Sequence, residues 1–167
     1  MTSEGTTIEL TAHDEAAMGL AIGLAERASA LDEVPVGAVV YRTDTGEPLG
    51  RAHNEVEALG DGTAHAEMLA IRRAMSRVAG KRLTGCSIAV TLEPCPMCAA
   101  ALVHARIGRL IFGAVDEKGG GVRSVYQIGQ DGRMNHGFAV LGGVRSEECG
   151  ELLRAFFRAK REAVRDV

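Results

Sequence analysis

A layered α/β domain is predicted by three features of the sequence. An amphipathic helical pattern opens at Thr11, β-branched apolar runs occupy 36–41, 87–92 and 109–114, and helical stretches at 63–79 and 96–104 alternate with the last two runs. A strand, a helix and a second strand in that order call for a parallel pair with the helix crossing one face. At 167 residues the chain is long enough for a single core. It divides into a loose leader over 1–10 and one domain over 11–167.

Each element has its own justification. From Thr11 the positions Ala17, Leu20, Ala21, Leu24, Ala28 and Leu31 fall on one helical face, and Thr11 with Asp14 forms a capping box with a shortened acid. Gly19 and Gly23 lower the propensity of this helix, which points to close packing against a neighbour. The run 36–41 ends in the turn-forming cluster 43–48, so 49–53 returns as its paired strand. A polar loop follows from Asn54 to Gly62. Thr63 is the expected N-cap of the next helix, which ends near Ala79 at Gly80-Lys81-Arg82. The strand 87–92 delivers Glu93-Pro94-Cys95 at its carboxyl end, where ligands of open α/β sheets sit. Cys95 and Pro96 then read as the N-cap and first residue of a helix reaching His104. After the strand 109–114 and an irregular glycine-rich stretch, 138–141 is a short last strand. From Ser146 a helix turns Leu152, Leu153, Phe156 and Ala159 inward and repeats Arg154, Arg158, Arg161 and Arg165 on another side.

Two short stretches carry the chemistry, His65-Ala66-Glu67 and Pro94-Cys95-Pro96-Met97-Cys98. An imidazole and two thiolates from His65, Cys95 and Cys98 are zinc ligands, and three protein ligands leave a fourth position for water, as a catalytic site requires. Glu67, two residues beyond His65 on the same turn, points elsewhere around the helix, so it is placed to carry protons and not to ligate. A purely structural site would need a fourth ligand, for which Cys86, Cys149, His104 and His136 are the candidates. None of them forms a second metal-like pair. His104 and Met97 otherwise read as packing residues, and Cys86 and Cys149 as small buried hydrophobes.

His-x-Glu followed by Pro-Cys-x-x-Cys is the pattern of the zinc deaminases. Beyond it, the chain resembles the tRNA wobble adenosine deaminases, a branch of the superfamily related to cytidine and deoxycytidylate deaminases. The resemblance is carried by Val34-Pro35-Val36-Gly37-Ala38-Val39, Asn54, Thr63 to Glu67, Leu92 to Ala99 and Val103-His104-Ala105-Arg106-Ile107. It continues through Phe112-Gly113-Ala114, Asn135-His136, Glu148-Cys149 and Phe156-Phe157-Arg158. It implies a three-layer α/β/α fold with a five-stranded mixed sheet and helices on both faces, one Zn2+ per chain, a homodimer, and conversion of adenosine to inosine in tRNA. It also implies substrate contacts at Asn54, Ala66, Pro94, Asn135 and His136, with Asn54 on the sugar. Asn54 reads alternatively as a turn residue, and His136 as a satisfied structural histidine. Phe157 among Arg154, Arg158 and Arg161 suits stacking on a nucleic-acid strand, or else forms a solvated face with one apolar contact. Residues 119–126 depart from the family pattern where it borders the substrate mouth, and Arg123 there either grips a phosphate or crowds a large substrate.

A formal charge of −3 and a pI near 6.0 give no global reason to bind nucleic acid, so RNA contact must come from a local patch. Four cysteines and a polar start without a basic, then apolar, leader point to the reducing cytoplasm, and no apolar run reaches membrane-spanning length. The alternative substrates are free nucleobases or nucleosides: guanine, adenine, cytosine or their nucleosides. A non-catalytic zinc-stabilised binding module is the reading from another class, and Glu67 argues against it, since a structural zinc gains nothing from a carboxylate beside an open position.

Overall fold

The computed structural model describes residues 8–167; the expected leader falls outside the described residues over 1–7. Residues 8–10 form no regular element, yet Ile8 packs on the core and the Glu9 carbonyl accepts a hydrogen bond from Arg109 at 3.1 Å. Helix α1 (Ala12–Ala30) begins at the expected capping box, with the Asp14 N–H donating to Thr11 Oγ1 and the Thr11 N–H to Asp14 Oδ2. Strands β1 (Gly37–Arg42) and β2 (Pro48–His53) form the expected antiparallel hairpin. A one-turn helix α2 (Val56–Leu59) interrupts the loop that the sequence left polar, and α3 (Ala66–Val78) follows. Then come β3 (Cys86–Leu92), α4 (Pro96–Ala105), β4 (Arg109–Ala114), β5 (Ala139–Leu141) and α5 (Ser146–Arg165).

The strands make one five-stranded mixed sheet in the order β2-β1-β3-β4-β5, antiparallel on one side of β3 and parallel on the other. Alternation along the pleat builds two cores. Ala38, Val40, Ile88, Val90, Leu110 and Phe112 face α3 and α4, while Val39, Tyr41, Ala89 and Ile111 face α1 and α5. This is the three-layer arrangement expected above. Register then gathers the site at one sheet edge. Gly37 pairs with His53, Ala38 with Val90, and Leu92 with Ala114, so the residues before β1 and after β2, β3 and β4 all emerge together.

Three local expectations are corrected. The buried face of α1 is Asp14, Ala17, Met18, Ala21, Ile22, Ala25 and Ala28, while Leu20 and Leu31 are exposed. Close approach explains this. A side chain at Gly37 would fall on the Ala21 carbonyl and beside the Ala25 nitrogen, so α1 crosses β1 at its alanines, with Met18 and Ile22 buried alongside, and nothing lies within 4 Å of a side chain built at Gly23. Helix α3 is closed by Ala79 in the left-handed region rather than by a glycine. On α5, Ala159 is exposed and Cys149 is the buried residue.

One buried ion pair locks α1 to the sheet. Asp14 is fully buried, accepts from the Tyr41 hydroxyl at 2.6 Å, and receives two hydrogen bonds from Arg109 at 3.1 and 2.8 Å. Burial pushes the Asp14 carboxyl up, but the Tyr41, Thr11 and Arg109 donors outweigh it and hold it below the ordinary value. Asp14→Asn is therefore expected to cost roughly 3 kcal/mol at neutral pH, because Arg109 is left beside an uncharged partner. An acid lowered on folding stabilises above its unfolded pKa and loses that contribution as pH falls through the folded one. Thermal melts should thus show a constant gap between wild type and variant from about pH 5 to 8, narrowing below about pH 4. A gap that widens in acid would contradict this assignment.

Candidate metal centre and active site

His65 and Cys95 occupy the N-cap positions of α3 and α4, both with extended backbone and neither with its side chain turned back to cap its helix. Thr63, the expected cap, lies two residues too early. Its hydroxyl and N–H both bond to Asp61 Oδ1, at 2.7 and 2.8 Å, which makes a tight turn ahead of the helix. Cys95 followed by Pro96 begins α4 as expected, and Cys98 sits fully buried on its first turn. Two helix N-termini thus converge on the ligands, and their partial positive charge favours thiolates there.

His65 Nδ1 lies 3.6 Å from Cys95 Sγ and 3.5 Å from Cys98 Sγ. Bonds of about 2.3 Å to sulfur and 2.0–2.1 Å to nitrogen, at a tetrahedral angle, give nitrogen-to-sulfur edges of about 3.5–3.6 Å, as found here, and all three donor atoms lie within 4.8 Å of one another, so they fit a zinc ion. The electrostatics agree. A hydrogen bond from the Cys98 thiol, then one from His65, bring Cys95 down to about 4 against the effect of burial, whereas the Cys95 neighbour and burial push Cys98 up. Contact with Cys95 raises His65. The three groups contend for protons, and a divalent cation removes the conflict by ionising both thiols. Among the described residues no fourth ligand joins them. Cys86 is buried and bonds to the Thr84 carbonyl, Cys149 packs on Gly113, His104 is exposed, and His136 bonds to the Ile107 carbonyl at 2.7 Å. The site is open in the sense that catalysis needs.

Glu67 is 4% exposed, with Oε2 3.5 Å from Cys98 Sγ, and burial pushes its carboxyl up from the ordinary value. It opens, with His65, Ala66 and Cys95, onto a cavity of about 900 Å³. Asn54 lines the same cavity. Pro94 is buried outside that lining, and its carbonyl accepts the Gly121 N–H at 2.7 Å.

The remaining expected contacts divide. Asn135 and His136 are away from the cavity lining: Asn135 Oδ1 accepts from Arg106 at 3.0 Å and His136 holds the Ile107 carbonyl, so the pair pins the 129–138 segment to the start of β4. Phe157 lines the mouth, beside Phe156 and Lys160. Arg154 pairs with Glu147 and Glu151, and Arg158 with Glu151, so the basic face of α5 is interleaved with acids; Arg161 also stands outside the lining. Arg123 neither reaches the cavity nor crowds it. It donates to the Val140 carbonyl at 2.9 Å, over the Phe112 ring.

Two buried acids at the cavity escaped sequence reasoning. Glu93 accepts from the N–H groups of Asp116, Val122, Arg123 and Ser124, and from the Ser124 hydroxyl, which staples the divergent glycine-rich segment to the turn that carries Cys95. Gly120 is required by that staple, since a side chain there would fall on the carboxylate. Glu33 holds Asn54 and α2. The only sequence signal was an acid at the end of an apolar strand, for Glu93, and one before a proline-containing strand entry, for Glu33.

Residues 11–114 match the model of the cytidine and deoxycytidylate deaminase zinc-binding region. The chain is 44% identical to the tRNA-specific adenosine deaminase of Haemophilus influenzae over 149 residues, covering 89% of this chain and 86% of that protein. To the tRNA-specific adenosine deaminase of Bacillus subtilis it is 46% identical over 149 residues, 89% of this chain and 91% of that one. A solved structure from studies of A-to-I editing by tRNA:A34 deaminases at the wobble position of transfer RNA superposes with a TM-score of 0.79 at 42% identity, over 83% of this chain and 99% of that one.

Proposed function

The chain belongs to the cytidine and deoxycytidylate deaminase zinc-binding family, and from that membership we propose that it converts adenosine to inosine at the wobble position of a tRNA. The observation that carries the reading is the tetrahedral spacing of His65, Cys95 and Cys98 with the buried Glu67 beside them at the base of an open cavity. It is a zinc-dependent hydrolase of C–N bonds. Zinc, when bound, lowers the pKa of a water in its fourth position toward neutrality.

The chain's own residues do the rest. Glu67 takes a proton from the attacking water and passes one to the departing nitrogen, so water oxygen replaces the amine and ammonia leaves. A raised proton affinity suits a group that must hold a proton between the two transfers. Ala66, at the first position of α3, offers an N–H that has no acceptor within its own helix to the base, and Asn54 faces the sugar. Phe156 and Phe157 at the mouth supply apolar rings for bases flanking the target. We take the enzyme as a cytoplasmic homodimer of single-domain chains, and the half-buried Met97, Ala100 and Ala101 along α4 support a partner face. No described helix is long and apolar enough to cross a membrane.

Zinc-loaded protein incubated with a tRNA pool, and separately with adenosine, adenine, guanine, cytidine and cytosine, decides the substrate. Inosine is expected at the wobble position of a tRNA, with ammonia release from that arm only. Release from a free base or nucleoside with none from tRNA would overturn the reading.

A further inference from the structure

Glu33 is 1% exposed, lies on the cavity wall, and spends its carboxylate on three donors. Asn54 Nδ2 reaches Oε2 at 3.3 Å, the Glu57 N–H reaches Oε2 at 3.1 Å, and the Ala58 N–H reaches Oε1 at 2.7 Å. The last two are in the first turn of α2, so one side chain fixes both that turn and Asn54. Both Glu33 oxygens act as acceptors, so the Asn54 amide turns its NH2 end toward Glu33. That decides its other end. Asn54 Oδ1 has no hydrogen-bond partner among the described residues, and no buried side-chain oxygen or nitrogen there is left without one, so Oδ1 is open to the cavity that Asn54 lines.

We propose that Glu33 is a positioning residue that locks Asn54 as a hydrogen-bond acceptor toward the substrate sugar and so makes the site select ribose over deoxyribose, a step that rests on the polynucleotide substrate inferred above. An acceptor needs a donor. In an internal nucleotide the 3′ and 5′ oxygens are esterified, which leaves the 2′-hydroxyl as the sugar's single donor. Without Glu33 the amide is free to rotate and present its NH2 end, which satisfies other oxygens of the sugar and backbone as well as it satisfies a hydroxyl. Selection then fades although Asn54 is still present.

The test uses zinc-loaded full-length protein and two anticodon stem-loop RNAs that differ only in carrying adenosine or 2′-deoxyadenosine at the target position. For the wild type, kcat/KM is expected to favour the ribose by roughly tenfold or more, since a buried acceptor is left unpaired by the deoxy sugar. Glu33→Gln, which keeps the shape but can also donate, is expected to bring the ratio to within about twofold, mostly by weakening the ribose substrate, with zinc content unchanged. Asn54→Ala is expected to abolish the preference by itself, and adding Glu33→Gln to it should lower the ratio no further. Loss of rate on both RNAs with the ratio retained in Glu33→Gln would show a purely structural role and overturn the proposal. Asn54→Ala keeps the proposal falsifiable should Glu33→Gln not fold, because a ratio that survives it means Asn54 does not read the hydroxyl. Failure of the wild type on either RNA, with turnover of a free nucleoside, would instead overturn the wobble reading and this proposal with it.

Discussion

Glu67→Gln is expected to hold one zinc per chain and to deaminate at least about ten-thousandfold more slowly than wild type. Each positioned proton transfer contributes on the order of a hundredfold or more, and in the proposed mechanism Glu67 serves two, one from the attacking water and one to the leaving nitrogen. The metal is expected to stay because the donors that could hold it, His65 Nδ1, Cys95 Sγ and Cys98 Sγ, form a cluster without the carboxylate. The fold stays as well. Glu67 is buried and its carboxyl is pushed up by burial, and an acid whose folded pKa lies above its unfolded one destabilises at any pH above that unfolded value. Removing the ionisable group relieves that cost, so the melting temperature of the zinc-free variant should equal or exceed that of wild type at neutral pH. Elemental analysis, melting curves and inosine formation measured on one preparation separate the three effects. Near wild-type turnover in a zinc-loaded Gln variant would rule Glu67 out as the proton carrier.

Cys95→Ala and Cys98→Ala should each lose the metal, and with it all turnover. Structural zinc sites with four ligands bind with roughly 10–16 kcal/mol in total, so a single ligand carries on the order of 3 kcal/mol, a factor of a hundred or more in affinity. The two variants should differ in stability. Cys98 is fully buried beneath the cavity, so its truncation also leaves a small void, whereas Cys95 is half-buried at the N-cap of α4 and its loss leaves the backbone of that helix start unchanged. Dialysis against a chelator followed by elemental analysis gives occupancy, and circular dichroism confirms the fold. Full zinc in either variant would remove that cysteine from the ligand set.

Much of the site was written locally. His65 and Glu67 are two residues apart, Cys95 and Cys98 three apart, and each pair lies at a helix start that the flanking Pro96 or the polar loop announces. Ligand chemistry at that spacing survives without any knowledge of the fold. Strands β1, β3 and β4 were equally legible, because each is a short apolar run, and β4 spans the residues the pattern assigned to it. What the pattern missed were groups whose partners lie far along the chain. Glu33 meets Asn54 across 21 positions and Glu93 meets Ser124 across 31, and neither contact leaves a period in the sequence.

The same distinction explains the errors. Leu20 and Leu31 share a helical stripe with Ala17, Ala21 and Ala28 by hydrophobicity, but α1 turns Met18, Ala21, Ile22 and Ala25 inward, with Ala21 and Ala25 against Gly37, an orientation set by another element. Asn135 and His136, expected as substrate contacts from the resemblance, hold Arg106 and the Ile107 carbonyl, which is the structural alternative that His136 also offered, and Arg123, expected either to grip a phosphate or to crowd a substrate, holds the Val140 carbonyl. By itself the sequence determined the layered α/β class, the His65, Cys95 and Cys98 group that could hold zinc and the acid beside it, because those depend on residue type and on spacings within one turn. Only the tertiary structure decided which other polar groups face the cavity and which are consumed in holding loops, because a buried hydrogen-bonding group takes whatever partner the packed chain brings within about 3 Å of it.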